Sequence, residues 1–181
     1  PPSATLTSTI PAGDQVFLPA ADTEANADYP SQPQGGSASL GVDGSPVRIA
    51  YLKFDLSSLA GQTITTAKLR LYVTNRSTNS QQVREVTDTS WTENSLTYNN
   101  RPGVSTLWTT ISGTTVGQWK EIDLTNWVKP RAGAVFAFAM QASGGDDSLI
   151  VNSREASANR PELHIQLQGG TPPTAIRTPT P

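Results

Sequence analysis

The residues best suited to chemistry are aromatic and basic side chains that alternate with apolar residues along predicted strands. In the stretches 47–56 and 66–74 every second residue is apolar, so the intervening side chains point away from the core. Aromatic rings stack on the C–H surfaces of sugars, and neighbouring cations form charge-assisted hydrogen bonds with uronate or sulfate groups. The pattern predicts a carbohydrate-binding face made of Tyr51, Lys53, Lys68, Arg70, Tyr72 and Trp119.

A purely structural interpretation of these residues stays open. On that interpretation one face lies beneath another strand or loop, and its cations are solvated or paired with Asp55 and Glu121. We expect Trp91 to fill core space or to anchor a loop. We also expect Arg154 or Arg160 to tie loops together through an acid, the candidates being Asp88, Glu93 and Asp123.

Catalytic and metal chemistry have little support. The chain has no cysteine, and its one histidine, His164, has no acidic residue at a spacing that would indicate a catalytic triad. Glycoside hydrolysis needs two carboxyl groups roughly 5–10 Å apart, and nothing singles out Glu93 with Asp123 for it. We therefore predict no enzyme and no cofactor. A structural calcium ion stays open, although Asp146 and Asp147 predict a turn rather than a calcium loop.

Length and charge exclude several classes of protein. A chain of 181 residues buries roughly 70% of its unfolded surface, which is enough for one core. No apolar run approaches the ~20 residues that span a bilayer. The 13 basic and 15 acidic residues form no basic stripe for a phosphate backbone. We expect neither membrane insertion nor nucleic-acid binding.

The elements that position the predicted face are short strands separated by turn residues. This arrangement predicts an all-β fold, a two-sheet antiparallel β-sandwich of the jelly-roll type. The stretch 135–140 is apolar on both parities, as in a central strand buried on both sides. A helical turn is expected within 123–129, and 4–10 alternates as a strand would. Besides the two stretches above, strands are predicted at 83–87, 119–124, 134–142, 149–152 and 162–168.

The two ends of the chain differ in character. We expect residues 1–170 to form the sandwich, and 171–181, with four prolines and four threonines, to form a linker or tail. A tail that contacts neighbouring copies would make the chain a structural subunit of an extracellular filament. This is the alternative to a binding module, so the expected partner is a polysaccharide or copies of the chain itself. The assembly contacts would be Thr171, Pro172, Pro173, Ile176 and Pro179.

Several short motifs occur in an order that resembles the DNRLRE-type domain of secreted bacterial proteins. The resemblance covers roughly residues 14–167 and rests on Tyr51–Leu56, Ala67–Val73, Ser90–Glu93, Leu96–Pro102, Ile122–Thr125, Ser153–Glu155 and Asn159–Pro161. It implies a jelly-roll β-sandwich that serves as a non-catalytic module of extracellular or cell-surface proteins. It also implies a similarity to carbohydrate-binding modules for acidic polysaccharides such as alginate. The chain departs from the family pattern at 26–36, where Tyr29 is followed by Pro30 rather than glycine.

Overall fold

The computed structural model describes residues 13–169, in which eleven strands and three short helical segments occur. The strands are β1 (Asp14–Phe17), β2 (Ala21–Asn26), β3 (Ser39–Gly44), β4 (Val47–Asp55), β5 (Ile64–Asn75), β6 (Gln81–Val86), β7 (Leu107–Ile111), β8 (Trp119–Asp123), β9 (Val135–Ala142), β10 (Leu149–Asn152) and β11 (Glu162–Leu167). The helical segments are α1 (Thr125–Val128) and the 3-10 turns Ser57–Leu59 and Lys129–Arg131. Helix α1 confirms the helical turn expected within 123–129.

The strands form two layers joined at one side. The front sheet has the order β2-β4-β9-β6-β7, and the back sheet has the order β1-β11-β5-β8. Strands β3 and β10 pair with each other and connect the layers, because β3 also pairs with β4 and β10 with β5. All pairs are antiparallel. The predicted all-β sandwich is confirmed.

The main core lies between the two sheets and uses the apolar parity of each strand. Leu52 and Phe54 come from the front sheet and Leu69 and Ile165 from the back sheet, and all four are fully buried. Burying each such side chain contributes roughly 1.5–3 kcal/mol to folding. The alternation in the sequence therefore identified the core face of both long strands, β4 and β5.

A second apolar cluster lies on the outer side of the front sheet. Residues 87–106, which we name the cover loop, place Trp91 and Leu96 over this side, where they pack with Ala137 and Ala139. The alternate residues of β9, such as Phe138, face the main core. Strand β9 is thus buried on both sides, as its sequence predicted, and the cover loop is the element that buries the second side.

Four strands, β1, β2, β3 and β7, were not predicted. Strand β2 reads Ala-Asp-Thr-Glu-Ala-Asn, yet all six residues are buried, including Asp22, Thr23 and Glu24. Hydrophobic alternation cannot reveal a strand whose buried side chains are polar. Glu24 is held by Arg48, with Nε–Oε1 at 2.7 Å, and accepts the Gly41 N–H at 2.6 Å. Partners on other strands stabilise β2 where apolar burial does not.

Some sequence predictions concern residues outside 13–169. The strand expected at 4–10 and the tail at 171–181 both lie outside the described residues. Within 13–169 the structure contains no helix of the length and apolar character that a membrane span requires.

Candidate functional site

The structure divides the predicted carbohydrate-binding face between the two sheets. Lys68, Arg70 and Tyr72 on β5 and Trp119 on β8 lie together on the outer side of the back sheet. Tyr51 and Lys53 lie on β4, in the front sheet. The expectation of one continuous aromatic and basic face is therefore wrong, because β4 and β5 belong to different layers.

On the back sheet, the aromatic rings contact each other and an arginine. Tyr72 lies opposite Trp119 in the β5–β8 register, and their rings meet edge to face with centroids 5.5 Å apart. The guanidinium of Arg70 lies 4.4 Å from the centre of the Trp119 ring. Both rings are half-buried. The Arg70 guanidinium occupies one face of the Trp119 indole, the surface that a sugar ring would use.

The cations of this back-sheet face are paired with acids. Lys68 Nζ lies 2.7 Å from Glu121 Oε1, and Arg70 Nη1 lies 2.9 Å from Glu162 Oε2. The hydrogen bond to Glu121 raises the pKa of the Lys68 ammonium. The pairing of Lys68 with Glu121 is one that the structural interpretation of the sequence anticipated. Glu121 and Glu162 thus already neutralise the positive charges that were expected to receive an acidic sugar.

His164 belongs to the same face and lies between two acids. Its Nε2 is 2.8 Å from Glu162 Oε2, and its Nδ1 is 2.7 Å from Asp14 Oδ2. Burial lowers the pKa of His164, but the hydrogen bonds and charges of the two carboxylates outweigh burial and raise it overall. The histidine therefore belongs to a polar network that links β1 to β11.

Tyr51 and Lys53 hold the cover loop in place. Lys53 Nζ donates to the carbonyls of Thr89 at 3.1 Å and Trp91 at 2.6 Å, and it lies 4.5 Å from the centre of the Trp91 ring. The Tyr51 hydroxyl donates to the Pro102 carbonyl at 2.9 Å, and burial raises its pKa to about 12. Both side chains point away from the main core, as predicted, but the cover loop lies over them. The expected exposure of Tyr51 is wrong, since only 1% of the residue is accessible.

A cleft of about 330 Å³ lies between the far end of the cover loop and the front sheet. The sheet contributes Ile49 and Gln141, and the loop contributes Arg101. The full lining consists of Ile49, Tyr51, Arg101, Pro102, Gly103, Val104 and Gln141. The cleft combines an apolar floor, two amide or hydroxyl groups and one cation, which is the composition of a shallow polar-ligand site.

Arg101 in the cleft lining and Arg84 on the neighbouring strand β6 have no carboxylate partner within residues 13–169. Arg101 donates to the Tyr98 carbonyl, and its guanidinium lies 3.6 Å from the centre of the Tyr98 ring. Arg84 donates to Ser105 O at 2.9 Å and to Gln82 Oε1 at 2.8 Å. Gln141, in the cleft wall, donates to the same Gln82 oxygen at 3.3 Å. Arginine has five N–H donors, so both guanidiniums keep donors for a ligand.

Sequence reasoning missed both arginines. Arg101 appeared only inside the motif Leu96–Pro102, and Arg84 only inside a predicted strand. The outward parity of Arg84 on β6, between buried Val83 and Val86, was an available signal. For Arg101 no strand parity applies, since it lies in the cover loop.

A cluster of three carboxylates lies at the other end of the cover loop. One oxygen each from Asp22, Glu93 and Glu155 lies within 4.8 Å of the others. Arg154 Nη1 donates to both oxygens of Glu93 at 2.9 Å, which confirms that this arginine ties loops together. Burial, followed by the negative charges of Glu155 and Glu93, raises the pKa of Asp22 to about 8. These three residues are the ones in the described chain that group as metal ligands.

Other acids considered from the sequence have structural partners. Asp123 Oδ1 accepts the Thr125 N–H at 2.8 Å at the start of α1, and the Thr125 hydrogen bonds lower its pKa. Asp147 Oδ2 accepts from both the N–H and the hydroxyl of Thr78 at 2.6 Å, which lowers its pKa, and residues 143–146 before it form a bend. In both cases the hydrogen bonds favour the ionised carboxylate over the protonated form that a general acid needs.

A further recess of about 480 Å³ lies beside α1. The rings of Trp108 and Trp127 stack there, 5.8 Å apart and inclined by 6°, and Trp127 packs against the main core. Trp127 Nε1 donates to the Trp108 carbonyl at 2.9 Å. Asp123 lines the recess, so its charge disfavours an anionic ligand.

Comparison with known proteins identifies the type of domain. Residues 14–167 match the model of carbohydrate-binding module family 96. The chain is also 32% identical over 187 aligned positions to a gellan lyase of a Bacillus species. That alignment covers 96% of this chain and 7% of the lyase, so the chain spans a small part of that relative. The match confirms the expected carbohydrate-binding-module type, while the DNRLRE label stays a prediction. On the extent of the family match, the chain belongs to carbohydrate-binding module family 96.

Proposed function

We propose that this domain is a non-catalytic module that binds an anionic polysaccharide in the cleft between the cover loop and the front sheet. The observation that carries the proposal is that Arg101 lines this cleft without a carboxylate partner within residues 13–169. Arg84, which is bonded to the Gln82 side chain that Gln141 of the cleft wall also contacts, likewise has no carboxylate partner in this range. A carboxylate of a sugar acid is the complementary group, since guanidinium and carboxylate form parallel hydrogen bonds. The module then contributes adhesion and no bond cleavage.

The cleft suits a polymer better than a small ligand. Ile49, Pro102 and Val104 offer apolar surface to the C–H face of a sugar ring, while Gln141 offers an amide for its hydroxyls. A half-open cleft of this size contacts one or two sugar units, so each contact is weak. Affinity for a long polymer then grows when several modules act together.

The comparisons support the class of ligand. Family 96 is a family of carbohydrate-binding modules, and the name of the Bacillus relative makes gellan the first polymer to test. We also propose that the domain acts outside the cell, where a polysaccharide of this kind is accessible. The filament hypothesis depends on Thr171, Pro172, Pro173, Ile176 and Pro179, which lie outside the described residues.

Affinity measurements on a matched pair of polymers test the proposal. The probes are gellan, polygalacturonate and its methyl-esterified form, which keeps the sugar backbone and loses the charge. We expect binding to the charged polymer and a loss of roughly 10- to 100-fold in Arg101→Gln, the range for a hydrogen bond to a charged group. Arg76→Gln, an exposed arginine outside the cleft lining, is the control and keeps full affinity.

Each other outcome overturns part of the proposal. Equal binding of the esterified polymer, lost in Trp127→Ala, would assign a neutral glycan to the recess beside α1. Retained binding in Arg101→Gln, with loss in Trp119→Ala or Tyr72→Ala, would move the site to the back-sheet face that the sequence indicated. Absence of binding to all three polymers, with the protein folded, would reject the assignment of anionic polysaccharide.

A further inference from the structure

The carboxylate cluster joins three segments that are distant in sequence. Asp22 lies on β2, Glu93 in the cover loop and Glu155 in the turn after β10. The segments are held together by Arg154, whose backbone N–H donates to Asp22 Oδ2 at 2.8 Å and whose side chain pairs with Glu93. The Asp22 N–H donates to Glu93 Oε1 at 2.8 Å. These bonds hold Asp22 and Glu93 in position, and Glu155 Oε1 lies 3.6 Å from Arg154 Nε.

Two oxygens of the cluster lack a hydrogen-bond partner. Asp22 is fully buried, and its Oδ1 has no partner among residues 13–169. The Oε2 atom of Glu155 is buried as well and is likewise unpartnered within this range. Buried polar atoms are nearly always satisfied, so two unpartnered carboxylate oxygens in one cluster indicate a site that can receive a positively charged group.

Charge points to the same conclusion. Three carboxylates face one another and Arg154 supplies a single positive charge, so the ionised cluster has an excess of two negative charges. The ligand atoms are all carboxylate oxygens, the type that hard divalent cations prefer. Oxygens bound to one calcium ion at about 2.3–2.6 Å lie at most about 5 Å apart. The 4.8 Å spread of the three oxygens fits within that limit.

We propose that Asp22, Glu93 and Glu155 form a binding site for a calcium ion that clamps the cover loop to β2 and to the turn after β10. Calcium accepts irregular oxygen geometry and additional water or carbonyl ligands, whereas magnesium demands a near-octahedral arrangement. Zinc favours histidine and cysteine ligands, and the cluster contains neither. A cation bound only to the folded chain stabilises it in proportion to the logarithm of its concentration.

Calorimetry and thermal unfolding of the full chain, after treatment with a chelator, test this site. We expect one calcium ion per chain, a melting temperature that rises with calcium, and a smaller effect of magnesium at the same concentration. Asp22→Asn and Glu155→Gln keep side-chain size but remove a charge, and each is expected to weaken calcium binding at least tenfold. Glu121→Gln, which removes an exposed acid of the back sheet, is the control and keeps the calcium response.

Three results would overturn the proposal. The first is a wild-type chain that neither binds calcium nor changes its melting temperature at millimolar calcium. The second is unchanged calcium affinity in both cluster variants. The third is a stability that falls towards pH 8, with or without calcium, more steeply in the wild-type chain than in Asp22→Asn. That result would show that Asp22 and Glu155 share a proton instead of a cation. If Asp22→Asn fails to fold, the half-exposed Glu155 supplies the decisive variant.

Discussion

Arg70 on the back sheet and Arg101 in the cover loop combine the same functional groups, a guanidinium and an aromatic ring, but they differ in whether the charge is paired. Each guanidinium lies over an aromatic ring, at 4.4 Å from Trp119 and 3.6 Å from Tyr98. Arg70 is also paired with Glu162, whereas Arg101 has no acid beside it within residues 13–169. The comparison indicates that an arginine next to an aromatic ring is available to a ligand only when no internal carboxylate is paired with it.

Strand register explains why Arg70 on the back sheet is paired with acids and Arg84 on the front sheet is not. On β5, Arg70 lies directly opposite Glu162 of β11 and Glu121 of β8, so acids flank it on both sides. On β6, Arg84 lies opposite Ala139 of β9 and Leu107 of β7, which carry no charge. Cross-strand neighbours about 5 Å apart decide whether a charge is neutralised within the sheet.

The largest expected effect is on stability, and it differs between Tyr51 and Tyr72. Tyr51→Ala removes a fully buried ring beneath the cover loop and should cost about 3–5 kcal/mol of unfolding free energy. Tyr72→Ala removes a half-buried ring whose main contact is Trp119 and should cost about 1 kcal/mol. Urea unfolding of both variants measures the difference, and equal losses would contradict the assignment of Tyr51 to a buried layer.

The next effect concerns ligand affinity. Arg84→Gln combined with Arg101→Gln removes the unpaired cation of the cleft and the one on the neighbouring strand β6, and should lower affinity for a charged polysaccharide more than roughly 100-fold. Arg70→Gln, which removes a cation that is already paired, should change affinity less than about twofold. Isothermal titration at two salt concentrations measures both values, and the wild-type affinity should fall with salt. A larger loss in Arg70→Gln would reverse the comparison.

A smaller effect is expected when the acids of the back sheet are removed, since this sheet should then resemble the cleft in having unpaired cations. Glu121→Gln with Glu162→Gln leaves Lys68 and Arg70 without their acids, so the back sheet should gain a few-fold affinity for the charged polymer. The gain should persist in the variant that lacks Arg84 and Arg101. If the double glutamine variant gains nothing, the shape of the back-sheet face, rather than its neutralised charge, prevents binding.

The smallest effect is the part of the pH dependence that His164 contributes on the back sheet. The pKa of His164 is raised in the folded chain, so its stabilising contribution is complete below the unfolded value of about 6.5. The contribution is lost as pH rises through the higher, folded-state pKa. His164→Gln should therefore flatten stability against pH above about 6.5. NMR titration of this residue, the one histidine of the chain, measures the pKa directly, and a value below 6.5 would contradict the two-carboxylate environment.

The sequence predicted most of the fold and only part of the candidate site. Alternating residues located β4 and β5 and the doubly buried β9, because burial of apolar side chains determines those strands. Parity also predicted that Tyr51 points away from the main core. It could not show that the cover loop returns over Tyr51, since loop paths follow from individual contacts such as Lys53 to the Trp91 carbonyl.

The carboxylate cluster and the cleft could not be predicted from the sequence for the same reason. Asp22, Glu93 and Glu155 are separated by more than 60 residues from one another, and no local spacing connects them. Arg154 was expected to bind an acid from among several candidates, and the structure selects Glu93. Arg101 became informative only when the acids around it were known to be absent within residues 13–169.

The pairing of β1 with β11 has a mechanical consequence. Asp14 lies opposite Gln166, so the two ends of the described chain leave the back sheet at the same edge. A force that separates those ends acts along the β1–β11 hydrogen bonds and opens them one after another, starting at Asp14, instead of loading all of them in shear. The His164 ring, 2.7 Å from Asp14, is the first side chain to resist this opening. Strand β1 is therefore the part of the sandwich that tension releases first, while the closed core remains behind it.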